Sequence, residues 1–172
     1  MRLFIAINFR EDEKDSIENI IRKVEKESIQ GRFVKREHMH LTLEFLGEVP
    51  EEKVPIIKTI IEQITFEPFI MKLSSLGSFK RRDGDIYWLG IENNEVLFEI
   101  QRVLHNSLVK EGFKLEDRPY KPHITLGRKV KMNRDFDAKI LDKEIREMKI
   151  WVEKIDLVKS EFRDDGLVYN II

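Results

Sequence analysis

Apolar and polar residues recur with two different periods along this chain, and the changes of period mark out its elements. Residues 2–8 contain the run Leu3-Phe4-Ile5-Ala6-Ile7, with the length and β-rich composition of a buried strand. From 11 to 29 the spacing becomes helical. Ile17, Ile20 and Ile21 form one stripe, and Glu11, Asp12 and Glu13 fill the first turn, where acidic groups favour the positive end of the dipole. A short strand is expected at 33–36. Residues 40–46 return to period two, setting His40, Thr42 and Glu44 against Leu41, Leu43 and Phe45. Gly47 to Pro50 breaks the chain before a second helix at 51–64. Strands are expected at 68–76 and 85–91 around a polar loop from Lys80 to Gly84, which suits a hairpin tip. A helix at 95–111 ends at Gly112, a good left-handed cap. A strand at 123–129, a shorter helix near 137–147, and strands at 150–159 and near the C-terminus complete the pattern.

The pattern repeats. An ungapped shift of 83 positions carries His40-Leu41-Thr42-Leu43 onto His123-Ile124-Thr125-Leu126, and Leu3-Phe4-Ile5-Ala6 onto Ile86-Tyr87-Trp88-Leu89. The same shift carries Ile17, Ile20 and Ile21 onto Ile100, Val103 and Leu104. A strand, a helix and a His-bearing strand are preserved in order, which argues for a duplicated unit. With two copies only, pseudo-twofold symmetry is expected and not an array. The chain is read as one domain over 1–172, with an internal repeat of roughly 1–84 and 85–172. No linker or shift of composition separates the halves, so they should share a core as two lobes of an α+β domain.

Composition narrows the chemistry. At 172 residues the chain can bury roughly two-thirds of its unfolded surface, enough for a core without staples. Cysteine is absent, which removes disulfides, thiolate nucleophiles and Cys-ligated zinc. No apolar run approaches the roughly 20 residues of a membrane span, so a cytoplasmic protein with no membrane partner is expected, as a monomer. The net charge is -1, from 31 basic and 32 acidic residues, so a nucleic-acid partner would not be held by a large global field. Charged residues make up 37% of the chain, a thermophile-like bias that suits ion-pair networks.

The strand period then places the polar groups. His40 and Thr42 share one face while Leu41 and Leu43 point into the core, and the same holds for His123 and Thr125. If the pseudo-twofold brings the strands together, two imidazoles and two hydroxyls converge on one cleft. Such a cleft fits a phosphodiester: hydroxyls donate to the non-bridging oxygens, one histidine protonates the leaving oxygen, and the other takes a proton from the nucleophile. Histidine, with an ordinary pKa of about 6.5, serves in both roles near neutral pH. The scheme calls for no metal and no cofactor. A His38-x-His40 pair raises the idea of a shared zinc, but no third ligand is visible.

The stretches His38-Met39-His40-Leu41-Thr42-Leu43-Glu44-Phe45-Leu46-Gly47 and Arg118-Pro119-Tyr120-Lys121-Pro122-His123-Ile124-Thr125-Leu126-Gly127-Arg128 resemble the paired motifs of the two-histidine (2H) phosphoesterase superfamily. Within it the likeness is to the RNA 2′,3′-cyclic phosphodiesterases, historically called 2′-5′ RNA ligases. The segments Arg2 to Ile7 and Leu157 to Phe162, with Gly166 and Tyr169, share it, so it spans nearly the whole chain. The resemblance implies a bilobal α+β fold: two pseudo-twofold-related lobes with antiparallel sheets around a central groove and helices on the outside. It implies hydrolysis of RNA 2′,3′-cyclic phosphate ends, tRNA halves among the candidate substrates, to 2′-phosphates without metal or ATP. It makes His40 the general acid and His123 the general base, with Thr42 and Thr125 on the phosphoryl oxygens. Arg128 matches an arginine that often follows the second motif; with the strand read as regular, it is expected on the face of His123 and Thr125.

Other readings stand beside this one. The same chemistry would serve a small cyclic phosphate nucleotide, and a non-catalytic RNA-end binding module would keep the groove alone. Lys121 is a candidate substrate contact, and Tyr120 and Phe45 are candidate stacking partners for a terminal base. Lys35, Arg36, Arg118 and Lys129 are candidates for a basic groove mouth, and the Lys80-Arg81-Arg82 tip for contact with an RNA body. His105 is expected at the surface or the core edge.

Overall fold

The computed structural model describes all of residues 1–172. Its elements are β1 (Arg2–Asn8), α1 (Glu11–Lys26), β2 (Ser28–Phe33), β3 (His40–Glu48), α2 (Val54–Gln63), β4 (Phe69–Phe79), β5 (Asp85–Ile91), α3 (Glu95–Lys110), β6 (His123–Met132), α4 (Asp142–Arg146), β7 (Lys149–Val152), β8 (Asp156–Arg163) and β9 (Gly166–Ile171). Three differences from the sequence pattern have local causes. The first helix stops at Lys26, and the next strand is Ser28–Phe33, not 33–36; it is a polar edge strand with no buried residue to mark it. The stretch 150–159 divides into β7 and β8, which join different sheets. The helix near 137–147 is half a 3₁₀ turn, Ala138–Leu141, followed by the short α4.

Two sheets carry the fold, with strand orders β3-β1-β8-β9 and β2-β6-β5-β4-β7, and every pairing is antiparallel. Three consecutive strands correspond: β3, β1 and β8 on one side match β6, β5 and β4 on the other. Neither sheet comes from one half of the chain. β4 leaves the first half to pair with β5, and β8 returns from the second half to pair with β1. The helices cross over in the same way. α1 lies against β2 and β6, while α3 lies against β3 and packs on α2.

Each sheet is covered by helices on one face only. Leu3, Ile5, Ile7, Leu41 and Leu43 enter a single core of 33 buried apolar residues with Ile17, Ile20, Leu89, Leu104, Ile124 and Leu126. Burying one such aliphatic side chain contributes about 1.5–3 kcal/mol, so the stripes of α1 and α3 hold the helices to the sheets. The opposite face of the first sheet carries a separate small cluster of Phe4, Ala6 and Val158, packed against Tyr169. That face lines the groove.

The two His-bearing strands share an irregularity. Ile5 pairs with Glu44 and Ala6 with Thr42, leaving Leu43 as an extra residue on β3. Tyr87 pairs with Gly127 and Trp88 with Thr125, leaving Leu126 as the extra residue on β6. These bulges stand at repeat-equivalent positions. A bulge sets two neighbouring residues against one and reverses the alternation beyond it. Leu43 and Glu44 are therefore both buried, and Leu126 and Gly127 likewise, before Phe45 and Arg128 emerge.

Candidate active site

His40 and His123 are held in the same way. The Nδ1 of His40 lies 2.7 Å from the carbonyl oxygen of His38, and the Nδ1 of His123 lies 2.7 Å from that of Lys121. A carbonyl only accepts, so each Nδ1 carries the hydrogen, and Nε2 is left as the working nitrogen. The residue two positions before each tetrad histidine thus sets its tautomer through its main chain, whatever its side chain. On the His40 side, Nε2 also lies 3.1 Å from the Thr42 hydroxyl.

β3 and β6 approach each other across the groove, and the His123 imidazole is close enough for its charge to be felt at His40. Aromatic rings wall in both. Phe4 and Tyr169 stand 4.8 and 5.4 Å from the His40 ring, and Phe79 stands edge-on to His123 at 5.2 Å. Trp88 completes that wall at 6.3 Å from His123. Its ring lies over Gly77, where a Cβ would come within 2.2 Å of the indole; only glycine leaves room for it.

Burial dominates the electrostatics. It lowers His40 to a pKa of about 4, partly offset by the bond to His38 and deepened by the charges of His38, Arg128 and His123. His123 is lowered for the same first reason, with Arg128 and Arg118 adding to the effect. Both shifts favour the neutral ring at pH 7.

The remaining residues sort themselves by position. The Arg128 guanidinium acts on His40, His123 and Tyr169 alike, which places it at the groove. The reason differs from the sequence expectation. Regular alternation would set His123, Thr125 and Gly127 on one face and turn Arg128 away; the bulge at Leu126 turns it back. Thr42 and Thr125 are half-buried on the groove strands. Lys121 has an exposed side chain beside His123. Tyr120 lines the groove, but its hydroxyl is spent on the Thr42 carbonyl oxygen at 2.9 Å and its ring meets Phe98 edge-on. Arg36 is withdrawn from the groove mouth by Glu11, Asp15 and Glu18 of α1, at 2.7, 2.7 and 3.2 Å. His38 packs its ring on Tyr169. His105 sits at the core edge, with Nδ1 2.8 Å from the buried Glu44 carboxylate. Sequence reasoning missed Phe4, Phe79 and Tyr169 as groove walls; the repeat shift from Phe4 to Tyr87 does not reach Phe79, because the walls come from non-equivalent strands.

A cavity flanks the site on each side. One of about 340 Å³ opens beside His40, lined by Phe4, Arg10, Lys14 and Tyr169. Another of about 420 Å³ opens beside His123, lined by Thr42, Phe45, Phe79 and Tyr120, with Arg81 and Lys121 at its mouth.

Two histidines with matched tautomers, one on each of two pseudo-equivalent strands of facing sheets, define a two-histidine phosphoesterase. A family model described as "LigT like Phosphoesterase" matches the chain twice, over residues 7–88 and 89–169, so each half of the repeat matches it separately. The chain belongs to the LigT-like phosphoesterase family. It is 33% identical over 175 residues to the RNA 2′,3′-cyclic phosphodiesterase of Thermotoga maritima, covering 100% of this chain and 93% of that one. It is 33% identical over 178 residues to that of Methanothermobacter thermautotrophicus, covering 99% and 95%. Among solved structures, Escherichia coli LigT complexed with 3′-AMP superimposes with a TM-score of 0.83 at 26% identity, covering 99% of this chain and 94% of that chain. The TT0787 protein of Thermus thermophilus gives 0.81 at 26% identity, covering 100% and 95%.

Proposed function

We propose that this protein opens 2′,3′-cyclic phosphate ends of RNA to 2′-phosphates by acid-base catalysis between His40 and His123. The observation that carries the reading is the pair of identical Nδ1 anchors, which leave one Nε2 at each side of a single groove. The activity named for the relatives supplies the substrate class. In the forward direction His123 takes a proton from water, the water oxygen bonds to phosphorus, the P–O3′ bond breaks, and His40 delivers a proton to O3′. Thr42, Thr125 and Arg128 hold the non-bridging oxygens, where a planar guanidinium stabilises the charge that gathers in the transition state. A bound phosphodiester anion favours the protonated form of His40 and so restores the acid that burial suppresses. The same acid and base in the same roles would join such an end to a 5′-hydroxyl through a 2′-5′ linkage, the hydroxyl taking the place of water.

The test is an oligonucleotide ending in a 2′,3′-cyclic phosphate, incubated with excess EDTA, with the product end identified. A 2′-phosphate product is expected. No turnover, or turnover restored only by added metal, overturns the proposal.

A further inference from the structure

The cavity beside His123 holds chemistry that hydrolysis does not use. Glu44 follows the bulge on β3, where the second copy has Gly127, and its side chain is 9% exposed. Its Oε2 accepts hydrogen bonds from His105 Nδ1 at 2.8 Å and from Gln101 Nε2 at 3.3 Å, both reaching down from α3. Its Oε1 has no protein partner. Since Trp88 Nε1 is the only side-chain polar atom both sealed and unpartnered, Glu44 Oε1 opens on the cavity that Glu44 lines. Phe45 and Phe79 wall the same space, and the exposed Arg81 and Lys121 stand at its mouth.

In-line displacement assigns this space. Entering and leaving oxygens lie on opposite sides of phosphorus. With His40 serving the departing O3′, the ribose that carries the cyclic phosphate lies toward the His40 cavity. The nucleophile then approaches from the side of His123. A water molecule needs about 30 Å³ and no aromatic walls, whereas about 420 Å³ is the scale of a small-ligand site.

Resting on the acid-base assignment above, we propose that the His123 cavity is an acceptor subsite for a nucleoside bearing a free 5′-hydroxyl, and that Glu44 selects guanine there. The base lies against Phe45 and Phe79, displacing the guanidiniums of Arg2 and Arg81 that rest over those rings at 5.2 and 5.9 Å. Guanine places N1–H and its amino group side by side as donors to a carboxylate, whereas uracil flanks its one N–H with two carbonyl oxygens that the Glu44 charge repels. The 5′-hydroxyl gives its proton to His123 and bonds through O5′ to phosphorus, P–O3′ breaks, and O3′ takes a proton from His40. The product is a 2′-5′ phosphodiester, and no further reactant is required.

The experiment supplies an oligonucleotide ending in a 2′,3′-cyclic phosphate together with guanosine or uridine at equal concentration, and measures both the 2′-phosphate and the 2′-5′ linked nucleoside product. Guanosine is expected to exceed uridine as acceptor by about tenfold, the worth of one charge-assisted hydrogen bond. Glu44→Gln should bring the two acceptors within about twofold while hydrolysis stays within about twofold of the parent. Phe45→Ala should cut transfer to guanosine at least about fivefold and spare hydrolysis. Normal hydrolysis with no transfer, or equal transfer to both nucleosides, overturns the subsite and leaves the hydrolytic reading standing. Failure to consume the cyclic end at all overturns both, and the 2′-phosphate measurement separates these cases.

Discussion

The Nε2 of His40 lies 3.1 Å from the hydroxyl of Thr42, while His123, anchored through Nδ1 in the same way, has no such bond to Thr125. With the Nδ1 hydrogen committed to a carbonyl, the neutral His40 ring accepts the hydroxyl hydrogen of Thr42 through Nε2. On the proposed mechanism a phosphoryl oxygen entering the groove would compete for that hydroxyl, and Thr42 would turn from capping the base form of His40 to holding substrate. Substrate binding as proposed would therefore shift His40 toward its protonated form.

The pH dependence of turnover follows from this. The proposed mechanism requires His40 charged and His123 neutral, and burial sets the free-enzyme pKa of His40 at about 4 and lowers that of His123. As pH rises through the His40 value the acid is lost, so kcat/KM should fall on its alkaline side from a low pH. Bound substrate, being anionic, raises His40, so the alkaline limb of kcat should lie at least one pH unit above that of kcat/KM, a shift of about 1.4 kcal/mol. The limbs are macroscopic values of the coupled pair. Coincident limbs in a profile from pH 4 to 9 would contradict the exchange.

Stability carries the same signature with its own sign. A histidine whose folded pKa is depressed binds fewer protons in the native state than in the unfolded chain, where its pKa is about 6.5. The stability from burying neutral His40 is fully present above 6.5 and is lost as pH falls from 6.5 toward about 4. The loss amounts to roughly 2–3 kcal/mol at about 1.4 kcal/mol per unit. Urea unfolding at pH 7 and pH 4.5 should show this decline, and His40→Gln should remove most of the difference; an undiminished pH slope in that variant would reject the assignment.

Arg128 supports two measurable effects. Its guanidinium favours the neutral form of both histidines and stands where Phe45 stands in the other half of the repeat. Arg128→Lys keeps the charge but loses the planar fork, and should lower kcat/KM by about 10–100-fold. Arg128→Ala should lower it by about 100-fold or more and raise the pKa values of both histidines, readable by NMR titration of the free protein. Unmoved histidine titrations in the alanine variant would place the guanidinium outside the groove.

What was legible in the sequence, and what was not, divides along physical lines. The tetrads, the helical stripes and the 83-residue shift are local or periodic, so they can be read from the order of residues alone. The exchange of β4 and β8 between sheets is a long-range pairing that no local pattern records. The bulges at Leu43 and Leu126 depend on the partner register, and for that reason strict alternation misjudged the path to Arg128. β2 escaped because an edge strand with a polar run of residues has no buried face to give it a period. Tyr169, on the last strand, touches His40 and His38 only because β9 pairs with β8 beside β1. The Glu44–His105 contact likewise joins a strand to a helix 61 residues later.

Tyr120 offers a choice between two roles that a single atom decides. As a stacking partner for a base it would act through its ring, and Tyr120→Phe would be silent. In the structure its hydroxyl donates to the Thr42 carbonyl oxygen at 2.9 Å, tying the segment ahead of His123 to the strand of His40 across the groove. Burial pushes its phenol pKa well above the ordinary value, with the charge of Glu44 adding to it, so the hydrogen stays in place at every working pH. Removing the hydroxyl leaves a main-chain acceptor short of a partner and frees the two halves of the acid-base pair to drift. Tyr120→Phe should therefore cost about 1–2 kcal/mol of stability and lower kcat several-fold to about tenfold, with KM changed by less than about twofold. A raised KM at unchanged kcat in Tyr120→Ala, with Tyr120→Phe behaving as the parent, would assign the ring to substrate and refute the tie.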